Sequence, residues 1–421
     1  MVDVNLNVGV FPRDITCAVR ACYVLFACFG MVYITFLSRI VHIRQLLGNI
    51  TADQASVILL ALALGSTVST PIGGAILERV SVIKIIRIFA AFCAILLFLE
   101  GVFASSVQYW TCVVLAIFFG LSNGLFNIAN NIAGVIIEKR SNGKTLMPRF
   151  HSFFQIGAVS ATSISQITVR LGIDIRFQFA FVALVVIVAA LISSCYIFDR
   201  ENVEKRLNHE EVIQAEIGAI DDSAVKLTLL QKLNGKGLDL SVLLIGLIVC
   251  VTTLTEGSGN DWIASGIVEG FDETEVAGLL GMWIYLAVTA TTRFFGNNLL
   301  DRFGRVASMR ACFICAIAGV LIYTLSPFEW CVYLACIFWG FGVALGYPVG
   351  VSAASESKTH SAFRVSVAAG LGTIMNIAGP PIIGILASAV TIRLSLLVLL
   401  PGLILGFFVI PVLKNTSSRN T

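Results

Sequence analysis

The sequence predicts an all-α polytopic membrane protein in which twelve transmembrane helices form two related halves of six. Three observations carry that prediction. Hydrophobic residues make up 57% of the chain and charged residues only 13%, against roughly 25% charged in ordinary soluble domains. The charges are also segregated. Residues 54–77, 177–198, 330–355, 365–392 and 394–413 contain no Asp, Glu, Lys or Arg, and about 20 apolar helical residues suffice to cross a bilayer core. Finally, the stretch Gly296-Asn297-Asn298-Leu299-Leu300-Asp301-Arg302-Phe303-Gly304-Arg305 is echoed by Gly73-Gly74-Ala75-Ile76-Leu77-Glu78-Arg79-Val80-Ser81-Val82, 223 positions earlier. Each copy ends an apolar run with an acid, an arginine and a tight turn, as a short loop between two spanning helices would.

In chain order the spans are expected at 16–38, 52–77, 83–103, 108–136, 149–170, 176–198, 240–263, 275–299, 306–326, 329–355, 362–387 and 391–412. Met1 to Thr16 carries Asp3, Arg13 and Asp14 without a cleavage-type small-residue site, so the first span reads as a retained anchor. The charge-free stretch 101–137 is too long for one helix. Ser105-Ser106 and Tyr109-Trp110 mark a turn and an interfacial aromatic anchor inside it. Thr51-x-x-Gln54 and Asp272-x-x-Glu275 fit capping boxes that open the second and eighth spans. Trp110 and Trp330, like Gly120 and Gly340, lie 220 positions apart, which extends the repeat. The polar stretch 199–239 divides the chain into a six-helix bundle over 1–198, a cytoplasmic linker, and a second bundle with a short tail over 240–421. Its mixed charges suggest a solvated helix, and a plain linker is the preferred reading.

Lys and Arg concentrate in one alternate set of loops, including Arg79, Lys84, Lys139, Arg140, Arg302, Arg305, Lys358 and Lys414. The acids Glu269, Asp272, Glu273 and Glu275 lie on the other side. Both termini are therefore expected in the cytoplasm, with the chain in the plasma (inner) membrane among lipid. The net charge of +3 sits in loops rather than on one face, so nucleic acid is not an expected partner. Nearly all of the eleven cysteines, Cys312 and Cys315 included, fall within apolar runs, where packing outweighs metal or redox roles. Asn49-Ile50-Thr51 fits a glycosylation acceptor but lies too near the membrane to count for much. No H-E-x-x-H, G-x-S-x-G or P-loop motif is present, so neither enzyme activity nor ATP-driven transport is expected, and no cofactor or metal.

Over essentially its whole length the chain resembles the major facilitator superfamily. The superfamily's signature, G-x-x-x-D-R-x-G-R, is matched by Asp301, Arg302, Gly304 and Arg305, with Asn297 at the first glycine position. The first-half copy keeps Gly74 and Arg79, has Glu78 for the acid, and departs at Ser81 and Val82. More narrowly the chain is similar to the MosC-like, YbjJ-like branch, which includes proteins associated with rhizopine, an inositol amine. Glu256-Gly257-x-x-x-Asp261-Trp262, Phe150-His151-Ser152-Phe153-Phe154, Glu138-Lys139-Arg140 and Gly379-Pro380-Pro381-x-x-Gly384 carry that narrower likeness. The resemblance implies an alternating-access carrier, with Gly74, Glu78, Arg79, Asp301, Arg302, Gly304 and Arg305 as gate residues that set populations rather than bind solute.

Polar side chains in hydrocarbon are costly and usually face a partner or a water-filled path. Counted at about 1.5 Å per helical residue, Asn123, Asn127, Glu256, Tyr347 and Asn376 fall in one central band. Asn123, Asn127 and Asn131 share a helix face, and amides suit hydroxylated solutes. Interhelical bonding is the bland alternative for these residues. These asparagines, Tyr347 and Asn376 are expected to bind solute. Glu256 reads as the one carboxylate embedded away from loops, so it is expected to exchange a proton, with Arg293 and His151 as accessory groups. The depths of Glu256 and Arg293 differ by roughly 10 Å on the same count, which argues against contact, and His151 reads equally well as a partner of Glu138. Asp261-Trp262 is expected at the outer interface, with the tryptophan as an anchor.

The function expected is secondary active transport by alternating access, as proton symport of a small polar solute (a sugar, polyol or related amine) by a monomer. The alternative is proton-driven efflux of an apolar compound or metabolite. It is weakened by the absence of proline in Gln155-Ile156-Gly157-Ala158-Val159-Ser160, where drug exporters carry G-P-x-x-G-G. A receptor or scaffold role would rest on the 199–239 linker alone.

Overall fold

The computed structural model describes residues 12–77, 79–141, 146–197, 239–356 and 361–414. The predicted linker lies outside the described residues except for Asp239. Among the described residues every regular element is helical. The first half contains α1 (Pro12–Ser38), the short α2 (Ile40–Leu46), α3 (Ala52–Leu77), α4 (Val82–Ser105), α5 (Tyr109–Arg140), α6 (Met147–Arg170) and α7 (Ile175–Ser194). The second contains α8 (Leu240–Phe271), α9 (Glu275–Phe294), α10 (Gly296–Phe303), α11 (Arg305–Leu325), α12 (Glu329–Val343), α13 (Gly346–Ser355), α14 (Ser361–Ala389), α15 (Ile392–Ser395) and α16 (Leu399–Val409). With α9–α10, α12–α13 and α15–α16 each continuing one path, these make twelve spans.

Eleven of the spans are long and apolar enough to cross a membrane by composition alone; α6 is the exception. Its polarity has a structural use. Ser165 meets Ser38 of α1 at 2.8 Å and accepts from the Gln178 amide of α7 at 2.7 Å. These bonds satisfy groups that hydrocarbon would leave unpaired. Close approach elsewhere depends on glycine. A Cβ on Gly65 would collide with the Ile117 carbonyl, and one on Gly120 with that of Leu62. Small residues there let α3 and α5 pack backbone to backbone.

Two local expectations need correction. The seventh span, α8, runs to Phe271 rather than ending at 263, because nothing in Ala264–Phe271 breaks it before Asp272 turns left-handed at φ 55°. Asp272 therefore closes α8 and does not open α9. The N-cap of α9 is Thr274, whose side chain accepts from the Ala277 amide. The Thr51–Gln54 box does form: Gln54 Oε1 accepts from the Thr51 amide at 3.1 Å.

The halves are joined at the membrane face opposite the one where α1 begins. Arg39, 1% exposed, pairs with Glu275 at 3.0 Å, and His42 Nδ1 lies 3.3 Å from the same carboxylate. Arg44 pairs with Glu269 and also donates to the Ile50 carbonyl. One turn deeper, Trp283 Nε1 donates to Ser163 Oγ at 3.0 Å and Gln166 donates to the Leu279 carbonyl at 3.3 Å. These contacts seal the halves together at this face. A cavity of about 440 Å³ lies in the sealed face between Arg44, Glu269 and Arg393. Its guanidinium groups are already engaged, Arg393 by the carbonyls of Tyr323 and Ser326.

Asp239 starts the second half and shows how a loop charge orders a helix. Burial opposes its ionisation, but the Val242 amide, the Arg364 guanidinium at 2.7 Å and Ser241 outweigh it and hold the carboxyl below its usual range. Asp239→Ala is expected to cost about 1 kcal/mol, as loss of an N-cap commonly does, read as a lower melting temperature in detergent at pH 7. A depressed native pKa stabilises fully above the unfolded value of about 3.9 and is lost as pH falls through the native one. The gap between variant and parent should therefore close only in acid.

Candidate functional site

The site begins with a missing hydrogen. Pro348, in the first turn of α13, has no N–H, so the carbonyl four residues back, Ala344, lacks its helical donor. That carbonyl lies in the break between α12 and α13, and Arg293 Nε donates to it at 2.9 Å. The same guanidinium reaches the other way. Arg293 Nη2 lies 2.6 Å from Glu256 Oε2, an ion pair whose side chains are 22% and 20% exposed and so remain partly wet. The Glu256 carbonyl accepts from the Tyr285 hydroxyl at 3.0 Å. Three spans are thus tied at one charged knot.

This corrects the expectation that Glu256 and Arg293 stand too far apart to touch. The helical path through α9 continues to Phe303, which sets Arg293 deeper than a count to residue 299 allows. A Cα count also ignores the long arginine stem, which spans depth that the backbone does not.

Tyr347 lies within electrostatic reach of Glu256, and its ring borders Gly372 of α14, where a Cβ would stand 3.7 Å from the ring edge. Asn376, one turn further along α14, places its Oδ1 3.6 Å from where a Cβ of Gly257 would be. Glu256, Arg293, Tyr347 and Asn376 therefore gather in one region. From the first half, His151 is exposed, packs edge-on against Phe26, and lies within electrostatic reach of Arg293. It is not a partner of Glu138. That carboxylate accepts from the amides of Leu146 and Met147 and so caps α6.

The amides of α5 divide. Asn131 donates to the carbonyl and to Oδ1 of Asn127, each at 3.0 Å, and both residues are partly buried. Asn123 is 4% exposed, with no partner for its Oδ1 among the described residues. Asn130 is buried and donates to the Leu25 carbonyl of α1, which makes it a strut between helices. No direct contact joins Asn127 or Asn131 to Glu256 or Arg293 among the described residues.

Of the gate residues, Gly304 makes the turn between α10 and α11 at φ 79°, a left-handed conformation that favours glycine. Asp301 and Arg302 are exposed, and neither joins an ion pair among the described residues. Arg305 pairs with Glu356 and donates to the Leu413 carbonyl, so it fastens helices within the second half. Gly74 lies in α3, Arg79 is exposed just beyond it, and Glu78 lies outside the described residues.

Glu256 is not the only embedded carboxylate. Glu100 of α4 is fully buried beside the Cys112 thiol of α5, and its apolar neighbours in Leu97-Phe98-Leu99-Glu100-Gly101 were signal enough. Asp261 lies inside α8, ten residues before its end, or about 15 Å. Its neighbour Trp262 is 1% exposed and is a core residue rather than an interfacial anchor. The longer helix moves both inward.

The model of the Major Facilitator Superfamily matches residues 20–358 and 266–421. An uncharacterized transporter, y4wD, of Sinorhizobium fredii is 27% identical over 397 residues, covering 92% of this chain and 95% of that protein. An uncharacterized MFS-type transporter of Yersinia pestis is 22% identical over 333 residues, covering 78% and 79%. Among solved structures, the nucleoside transporter NupG is similar with a TM-score of 0.71 at 12% identity, over 95% of this chain and 99% of that one. A D-xylose-proton symporter gives 0.69 at 14% identity, over 95% and 97%. The helical fold agrees with these likenesses, and the chain belongs to the Major Facilitator Superfamily, as a membrane transporter and not an enzyme.

Proposed function

We propose that the chain carries a small polar solute, hydroxylated or amine-bearing, by alternating access coupled to protons. The face where α1 begins is cytoplasmic in this reading, since the basic loops lie there, and the chain sits in the plasma (inner) membrane as a monomer. The arrangement is then closed outward by the Arg39–Glu275 and Arg44–Glu269 pairs. The observation that carries the reading is the Glu256–Arg293 pair on the freed Ala344 carbonyl. A charged pair at mid-depth has no packing advantage over apolar residues, and it can rearrange when a solute competes for either member.

Tyr347, Asn376 and His151 border that pair and offer donors and acceptors for a solute, while Asn127 and Asn131 supply amides from the first half. Asn123, packed away, is assigned a place behind them. Exposed and unpaired Asp301 and Arg302 fit a cytoplasmic gate in its released state, with Gly74, Glu78 and Arg79 as its first-half counterpart. The nucleoside transporter and the D-xylose-proton symporter among the structural neighbours support a polar solute, as fold-level analogy.

A melting screen of purified protein over sugars, polyols and amines is expected to yield one class that raises the melting temperature. Uptake of that class into proteoliposomes should then rise under an inward-directed proton gradient. Uptake indifferent to the gradient removes the proton role. Altered drug sensitivity of a deletion strain, with no hit in the screen, favours efflux instead.

The charge pair makes a second prediction. Glu256→Gln leaves Arg293 without its counter-ion and is expected to destabilise the fold by about 1–3 kcal/mol. The double variant with Arg293→Gln should recover part of the stability, less the donor that the Ala344 carbonyl loses, but not transport. Transport at parental rate in the double variant would reduce the pair to a structural strut.

A further inference from the structure

We propose that Asp261, rather than Glu256, is the carboxylate that takes up and releases the coupling proton. This rests on the proton-coupled reading above and assigns the residue within it.

The two acids share α8 but not their circumstances. Glu256 is held at 2.6 Å by Arg293, whose guanidinium is itself fixed by the Ala344 carbonyl. Protonating Glu256 would strand that cation at mid-depth, a cost the protein avoids by keeping the pair ionised. Asp261 stands five residues further along, about 7.5 Å deeper toward the sealed face. It is partly buried, and among the described residues no hydrogen bond or ion pair reaches it. A carboxyl without a cation in such a place is most stable when neutral.

The surroundings contain no hidden counter-ion. From α9 the facing titratable group is Tyr285, whose hydroxyl is committed to the Glu256 carbonyl. From α1 it is Tyr33, which lies within electrostatic reach of both Asp261 and Glu256. The spans packed on α8 from the other side, α14 beyond Arg364 and α12–α13 between 330 and 355, carry no Asp, Glu, Lys or Arg. Their titratable groups are Cys331, Tyr333, which bonds Glu329, Cys336, which approaches Tyr285, and Tyr347, which faces Glu256; from α11 the Tyr323 hydroxyl is committed to the Ile263 carbonyl. Near the sealed end, Arg44 of α2 is taken by Glu269, and Arg393 of α15 by main-chain carbonyls. His42 is taken up with Glu275.

A route between the two acids is built into the helix. Gly257 is one turn from Asp261 on the same face, it has no side chain, and Asn376 borders the gap it leaves. Water entering beside Glu256 and Asn376 can pass Gly257 to reach the Asp261 carboxyl. Tyr33 belongs to the first half and Asp261 to the second, so rocking of the halves alters the field and the hydration at this carboxyl. The step itself is simple: one proton from water joins an Asp261 oxygen, and the same O–H bond breaks when the proton leaves. No bond to solute forms or breaks.

The test needs no solute. Infrared difference spectra of the purified protein in lipid, titrated by pH, read the C=O stretch of protonated carboxyls. A band that titrates is expected in the parent, is lost in Asp261→Asn, and persists in Glu256→Gln. Glu100→Gln serves as the reference, since a sealed Glu100 contributes a band that does not move with pH. Where Asp261→Asn does not purify as folded protein, Asp261→Glu replaces it and must shift the frequency of the titrating band. A titrating band removed by Glu256→Gln, or unchanged by both Asp261 variants, overturns the assignment. So does the absence of any titrating band, which would leave Asp261 ionised as counter-ion to a cationic solute. Gradient-driven uptake that survives alongside such a result sinks this assignment alone, whereas uptake indifferent to pH removes the proton reading beneath it.

Discussion

Everything in this molecule turns on a shortage of hydrogen-bond partners in hydrocarbon. A backbone carbonyl or a charged side chain that finds no partner within the bundle has no water to fall back on. Pro348 creates one such carbonyl, at Ala344, and Arg293 answers it. The guanidinium then requires an anion, and Glu256 supplies it. One absent N–H thereby ties α8, α9 and the α12–α13 break together at mid-depth.

The same shortage explains why the sealed face is ionic. The α2 segment brings Arg39, His42 and Arg44 against Glu269 and Glu275, which lie at the adjoining ends of α8 and α9. Arg39 and Arg44 are buried there, so each cation depends on its carboxylate partner. Within the first half, backbone-to-backbone contacts of α3 with α5 leave no room for sliding.

Buried acids without cations are a different class. Glu100 is closed in beside a thiol and offers nothing to a solute. Asp261 shares its lack of a counter-ion yet retains some exposure and looks across at Tyr33 of the other half. In the proposed mechanism, position relative to the facing half, and not burial alone, separates an inert carboxyl from a working one.

Spans, their order, the doubling and the D-R-F-G-R turn were all legible in the sequence, because charge-free runs and glycine turns report local free energies that do not depend on partners. Helix ends were less so: the α8 pattern has no stop signal before Asp272, and that uncertainty hid Asp261 and misplaced Trp262 at an interface. Partnerships beyond a single turn, unlike the Thr51–Gln54 cap, were not legible. Arg293 meeting Glu256, Glu138 capping α6 and Asn130 serving as a strut to Leu25 each depend on how far side chains reach between helices brought together from distant parts of the chain. Composition says only that these polar groups must be satisfied. The packing of twelve rods decides by what.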